Sequence, residues 1–184
     1  MNSEKSGKAI LKNTARELAQ LAVFVALVIA AQLALSVVPG VEIVTLLFVA
    51  YAFVFGMHYG MLAATAFTLL RQLVFGFHPT VLILYIVYFN GLTAIFGALG
   101  KKVSNPLKHL WWLTIVACLC TVSFTLLDNI ITSLWYRYAY KAARVYFLAS
   151  LPVAFSQAVC TAVSVGGLFF PLQKVFRLIK RKTP

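Results

Sequence analysis

MLAATAFTLLRQLVFGF, residues 61–77, is apolar enough to cross a bilayer, yet it carries Arg71 with Gln72 beside it. A guanidinium keeps its charge at any physiological pH. In hydrocarbon it therefore needs a partner, water or an escape to the interface. The other charges that interrupt the apolar part of the chain, or its edges, are Glu17, Glu42 and Asp128. Arg71, Glu42 and Asp128 are expected at similar depth, lining a pocket open to one side of a membrane.

The rest of the composition agrees with a membrane setting. Of 184 residues, 62% are hydrophobic and 11% charged, against about 45–50% apolar and about 25% charged in soluble domains. The net charge of +12 does not point to nucleic acid. The basic residues sit at the two ends and in short segments between apolar runs, the distribution that orients membrane proteins. Cys118, Cys120 and Cys160 all fall inside apolar runs. With no CxxC pair and no Cys/His cluster, neither a metal site, a disulfide framework nor a cofactor is expected.

A spanning helix needs about 20 apolar residues. Six spans are predicted: residues 18–38, 43–57, 61–77, 80–99, 110–136 and 146–170, the last ended by Pro171. The first is longer than the ~7–15 residues of a signal-peptide core, so a retained span is expected. The second is short, and Gly56 to Gly60 is a tight link through which the second and third could merge or re-enter. The chain then divides into a basic segment at 1–17, a six-helix bundle at 18–170 and a basic tail at 171–184. This is an all-α membrane protein.

Orientation follows from the basic residues. One side collects Lys5, Lys8, Lys12, Arg16, Lys101, Lys102, Lys108, Lys174, Arg177, Lys180, Arg181 and Lys182; the other collects Arg137, Lys141 and Arg144. The excess puts both ends in the cytoplasm of a plasma-membrane protein. Glu42, Gln32, Arg71, Gln72, Asp128, Asn129 and Gln157 then fall in the outer half, with Tyr85 on the fourth span beside them. Thr121, Thr125, Asp128 and Thr132 recur at helical intervals, as do Gln157, Thr161 and Ser164. Lipid cannot satisfy such stripes, so they turn inward. A cup that opens outward is expected, bound by these eight residues. The alternatives at this point are a structural ion pair between Arg71 and Asp128, snorkelling of Glu42 and Arg71, and threonines bonded to their own helices.

Ala22, Ala26, Ala30 and Ala34 are each four residues apart on the first span. Small residues at this spacing form a flat face that another helix can approach closely. Gln32 lies on roughly the opposite side. Together with the size, topology, basic ends and polar depth, the Ala22–Ala26–Ala30 ladder resembles that of the S components of energy-coupling factor (ECF) transporters. The resemblance covers nearly the whole chain. It implies a vitamin-binding subunit that docks through Ala22, Ala26 and Ala30 on a transmembrane coupling subunit, with two ATP-binding subunits supplying the drive. It implies no catalytic residues. General similarity through residues 42–99 is closest to the cobalamin-type members, so cobalamin or a related corrinoid is the expected ligand.

Four alternatives are weighed against this reading. An intramembrane enzyme needs paired acids, a His metal set or an activated nucleophile, and the sequence has no such pattern. A channel or self-sufficient secondary transporter is disfavoured by the short length and the lack of internal halves. A packing subunit without a ligand, and an S component for a different vitamin, complete the set.

Overall fold

The computed structural model describes residues 2–35, 43–103 and 105–181, with side chains from residue 15 onward. The described residues form six α-helices: α1 (Asn2–Leu35), α2 (Val44–Phe55), α3 (Met57–Phe75), α4 (Pro79–Lys102), α5 (Leu110–Trp135) and α6 (Tyr140–Arg181). Four are long and apolar enough to cross a membrane: α1 over Ala15–Leu35, α4, α5 and α6. α2 has 12 residues, about 18 Å at 1.5 Å per residue. That is short of the ~30 Å of hydrocarbon in a bilayer. α3 has 19 residues, but Arg71, Gln72 and His58 lower its hydropathy.

The outer surface settles the solvent. Val23, Leu73, Leu134, Phe155 and Val163 are each at least 70% exposed. An apolar surface this extensive would aggregate in water, whereas lipid is its natural neighbour. With the four long apolar helices, it makes the chain a multi-pass membrane protein.

α2 is the hub. Every residue from Val44 to Val54 is buried, as expected of a helix that is apolar all round. α3, α4, α5 and α6 surround it, and α1 leans on α2 and α3. Phe48 stands at the centre, packed on the rings of Phe24, Phe67 and Phe89. Between α1 and α6 a slit remains, floored by Tyr51 and Phe55 and edged by Phe24 and Phe176.

A single residue, Gly56, separates α2 from α3. Its φ of +94° is open to glycine and costly for other residues. The chain reverses there, so Gly60 meets Ala52 and Phe67 meets Phe48. α4 closes on this turn through two glycines. A Cβ at Gly97 would overlap the Met57 backbone, and one at Gly100 would overlap the Phe53 carbonyl. From α6, Lys180 Nζ donates to the Val54 carbonyl at 2.6 Å, satisfying an acceptor that the end of α2 leaves open. Nearby, Tyr59 donates to Glu17 Oε2 at 2.8 Å. The start of α1, the α2–α3 turn and the end of α6 therefore share one end of the bundle.

Two expected boundaries move. Pro171 does not end the last helix, which runs through both Pro152 and Pro171 to Arg181. Proline removes one backbone donor, but Phe169 before Pro171 stays packed on Phe53, and Phe176 beyond it on Tyr51 and Phe55, and that burial holds the segment helical. Likewise α6 begins at Tyr140, so the outer segment expected at 137–144 is largely helix. The turn before it is made at Arg137, with φ of +51°. The amino-terminal segment expected at 1–17 continues α1, which starts at Asn2.

Candidate functional site

The polar residues form two clusters, both at the end of the bundle away from Glu17, Tyr59 and Lys180. Arg71 lies about 18 Å along α3 from Tyr59 at 1.5 Å per residue. There α1, α3 and α4 converge. Arg71 Nε donates to Gln32 Oε1 at 3.1 Å, and Gln32 Nε2 donates to the Tyr85 hydroxyl at 3.0 Å. The guanidinium carbon sits 4.7 Å from the Phe75 ring centre and 4.6 Å from that of Tyr85. Two aromatic faces thus receive the charge that lipid cannot solvate. Arg71 Nη1 is buried and makes no hydrogen bond.

The second cluster lies between α5 and α6. Asp128 Oδ2 accepts from the Tyr146 hydroxyl at 3.0 Å, and Oδ1 from Thr132 at 3.3 Å. Thr125 donates to Gln157 Oε1 at 3.4 Å. Deeper in, Thr121 and Thr161 share a buried hydrogen bond of 3.0 Å. The polar stripes of the two helices therefore face each other. Their outer part opens into a cavity of about 270 Å³ lined by Phe124, Thr125, Asp128, Tyr146, Ser150 and Gln157, with Ala149 and Val153.

Arg71 and Asp128 do not meet in an ion pair. The aromatic path from Tyr85 to Phe124, 5.9 Å between ring centres, separates the two clusters. Among the described residues, Arg71 has no carboxylate partner and Asp128 has no cationic one. Each charge is held by neutral groups: an amide and two rings for one, two hydroxyls for the other.

The remaining expected site residues have separate places. Gln72 is buried and accepts the His78 backbone N–H at 3.0 Å, tying the end of α3 to the start of α4; its own Nε2 has no partner. Asn129 also faces α6, donating to Ser150 Oγ at 2.8 Å and lining a neighbouring recess with Leu126, Ile130 and Phe147. Glu42 lies outside the described residues. Ala22, Ala26 and Ala30 are all exposed on the face of α1 turned from the bundle, while Gln32 on the same helix turns inward to Arg71. Asn90, with Thr93, joins helices: it accepts from Thr65 at 3.4 Å and donates to the Ile86 carbonyl.

Tyr146, Phe124 and Phe75 belong to these clusters without having been singled out from sequence. Phe75 follows Arg71 by one helical turn, a spacing that places a ring beside a guanidinium. Tyr146 has no such signal, because it meets Asp128 through the α5–α6 connection. Among the described residues, no group of three His, Cys, Asp or Glu side chains gathers to hold a metal ion. No protein-family model matches the chain, and no curated protein or solved structure matches it.

Proposed function

We propose that this chain is the membrane-embedded, substrate-binding subunit of an ATP-driven micronutrient importer of the ECF type. In this reading all six helices cross the plasma membrane, both ends are cytoplasmic, and the polar end of the bundle faces outward. A vitamin binds there by burying apolar surface and by a few directed hydrogen bonds. The subunit docks through Ala22, Ala26 and Ala30 on a transmembrane coupling subunit. Two ATP-binding subunits then drive the reorientation that releases the ligand inward.

One observation carries the reading. The scarce polar side chains of α1, α3, α4, α5 and α6 gather at a single end of a lipid-facing bundle, in two clusters that share an aromatic wall. A packing subunit would need no such concentration, and a proton or ion relay would need more titratable groups in line. The exposed alanine face of α1, opposite its inward Gln32, supports the docking mode.

Cobalamin or a related corrinoid is the first ligand to test, on the resemblance through residues 42–99. The cavity's 270 Å³ favours a second member of the same class, a smaller vitamin, since pockets for drug-sized ligands begin at about 300 Å³. Mass spectrometry of small molecules retained by the purified protein separates the two. The functional test uses two substitutions. Arg71→Ala is expected to weaken ligand binding by the isolated protein. Ala26→Trp is expected to spare that binding and to abolish uptake in cells that contain the coupling and ATP-binding subunits. Intact binding and uptake in both variants would refute the assignment. Uptake in liposomes without partner subunits would favour a secondary transporter.

A further inference from the structure

The α5–α6 cavity contains the carboxylate of Asp128, which among the described residues has no ion-pair partner. Asp128 receives hydrogen bonds from Tyr146 and Thr132, and both donors are neutral. The basic residues of this end are exposed at the surface: Arg137, Lys141 and Arg144, with Arg144 over the Tyr140 ring at 5.8 Å. Surface charges are screened by salt within about 8–10 Å, whereas a charge inside a low-dielectric cleft is not. The same cavity has two aromatic side chains in its wall, Phe124 and Tyr146. Their ring faces attract cations. Gln157 adds an amide that offers both an acceptor and donors. A lone carboxylate with aromatic walls is poorly suited to a divalent metal, which needs several oxygen ligands. It is well suited to an ammonium or a positively charged heterocycle.

We propose that this cavity is a site for an organic cation, with Asp128 as counter-ion, Phe124 and Tyr146 as walls and Gln157 as the group that orients the ligand. This rests on the reading of the polar end as a binding site and adds the chemical class: a single ring bearing a positive nitrogen, sized to about 270 Å³. Arg71, beyond the Tyr85–Phe124 wall, keeps a positive nitrogen out of the neighbouring cluster and leaves that cluster to the uncharged remainder of the ligand.

The experiment compares three probes of one shape by calorimetry on the full chain in nanodiscs: phenethylammonium, 2-phenylethanol and phenylacetate. Phenethylammonium is expected to bind about ten-fold more tightly than either of the others, the size of one desolvated cation–π and charge contact. Asp128→Asn, with its thermal unfolding checked against the parent, is expected to erase that preference. Val153→Trp, which fills the cavity and leaves the carboxylate in place, is expected to abolish binding of all three. Equal affinities, or a preference that survives Asp128→Asn, would overturn the cationic class while leaving the end a binding site. A preference that survives Val153→Trp would move the site out of this cavity and overturn the proposal. No binding of any probe to the parent protein would overturn both the class and the reading beneath it.

Discussion

Among the described residues, Arg71 and Asp128 are each held by neutral groups. The guanidinium rests between two rings and on one amide, and the carboxylate takes two hydroxyls. Lysine cannot replace arginine there, since it lacks the planar face that stacks on Phe75 and Tyr85. Arg71→Lys is therefore expected to lower the unfolding temperature in detergent, and Tyr85→Phe to lower it less, because the bond from Gln32 is lost while the ring beside the guanidinium remains. Gly100 makes a different kind of demand. A methyl group there would strike the Phe53 carbonyl, so Gly100→Ala is expected to destabilise the protein by about 1–3 kcal/mol, the usual cost of overpacking. Thermal or denaturant unfolding of the purified variant checks this. Arg71, Asp128 and Gln32 are legible in the sequence because polar groups in apolar runs are rare and must be accommodated. Tyr146 is not, because a tyrosine near a span end reads as an interface anchor until the fold brings it to Asp128.

Helix pairs carry the next level of the argument. α5 and α6 are joined along their length by Thr121 with Thr161, Thr125 with Gln157, and Asn129 with Ser150. Such bonds within a membrane average about 0.6 kcal/mol in double-mutant cycles, with a maximum near 1.7. Replacing Thr121 and Thr161 by valine, singly and together, is expected to give a coupling in that range when unfolding is followed in detergent. The small value follows from Thr121 also bonding the Ala117 carbonyl of its own helix, so Thr121 keeps an acceptor when Thr161 is lost. The long helices were readable from apolar run length, which lipid thickness enforces. The end of α6 was not, because proline stops helices locally while packing against Phe53 and Tyr51 acts over a distance the sequence does not display.

The bundle as a unit has one end where uncharged polar side chains cluster and one basic end. Lys180 and Arg16 lie at the second, with the α2–α3 turn between their helices. Basic residues are retained on the cytoplasmic side. Reporters fused to the two termini are thus expected to show the same, cytoplasmic, location, and a result with the termini on opposite sides would require an odd number of crossings. The all-helical class and the lipid-facing surface follow from composition. The separation of the polar groups into two clusters does not, because it depends on how helices rotate about one another, and Tyr85 and Phe124 meet edge to face between them.

The brevity of α2 has a consequence for how the protein is made. Twelve residues offer the insertion machinery too little apolar length for stable release into lipid on their own. On the six-span reading, α2 is expected to wait for α3 to leave the ribosome and to enter with it as a hairpin folded at Gly56. Nascent chains truncated within α3 would hold α2 accessible to the aqueous phase, and chains extended past it would bury both segments together.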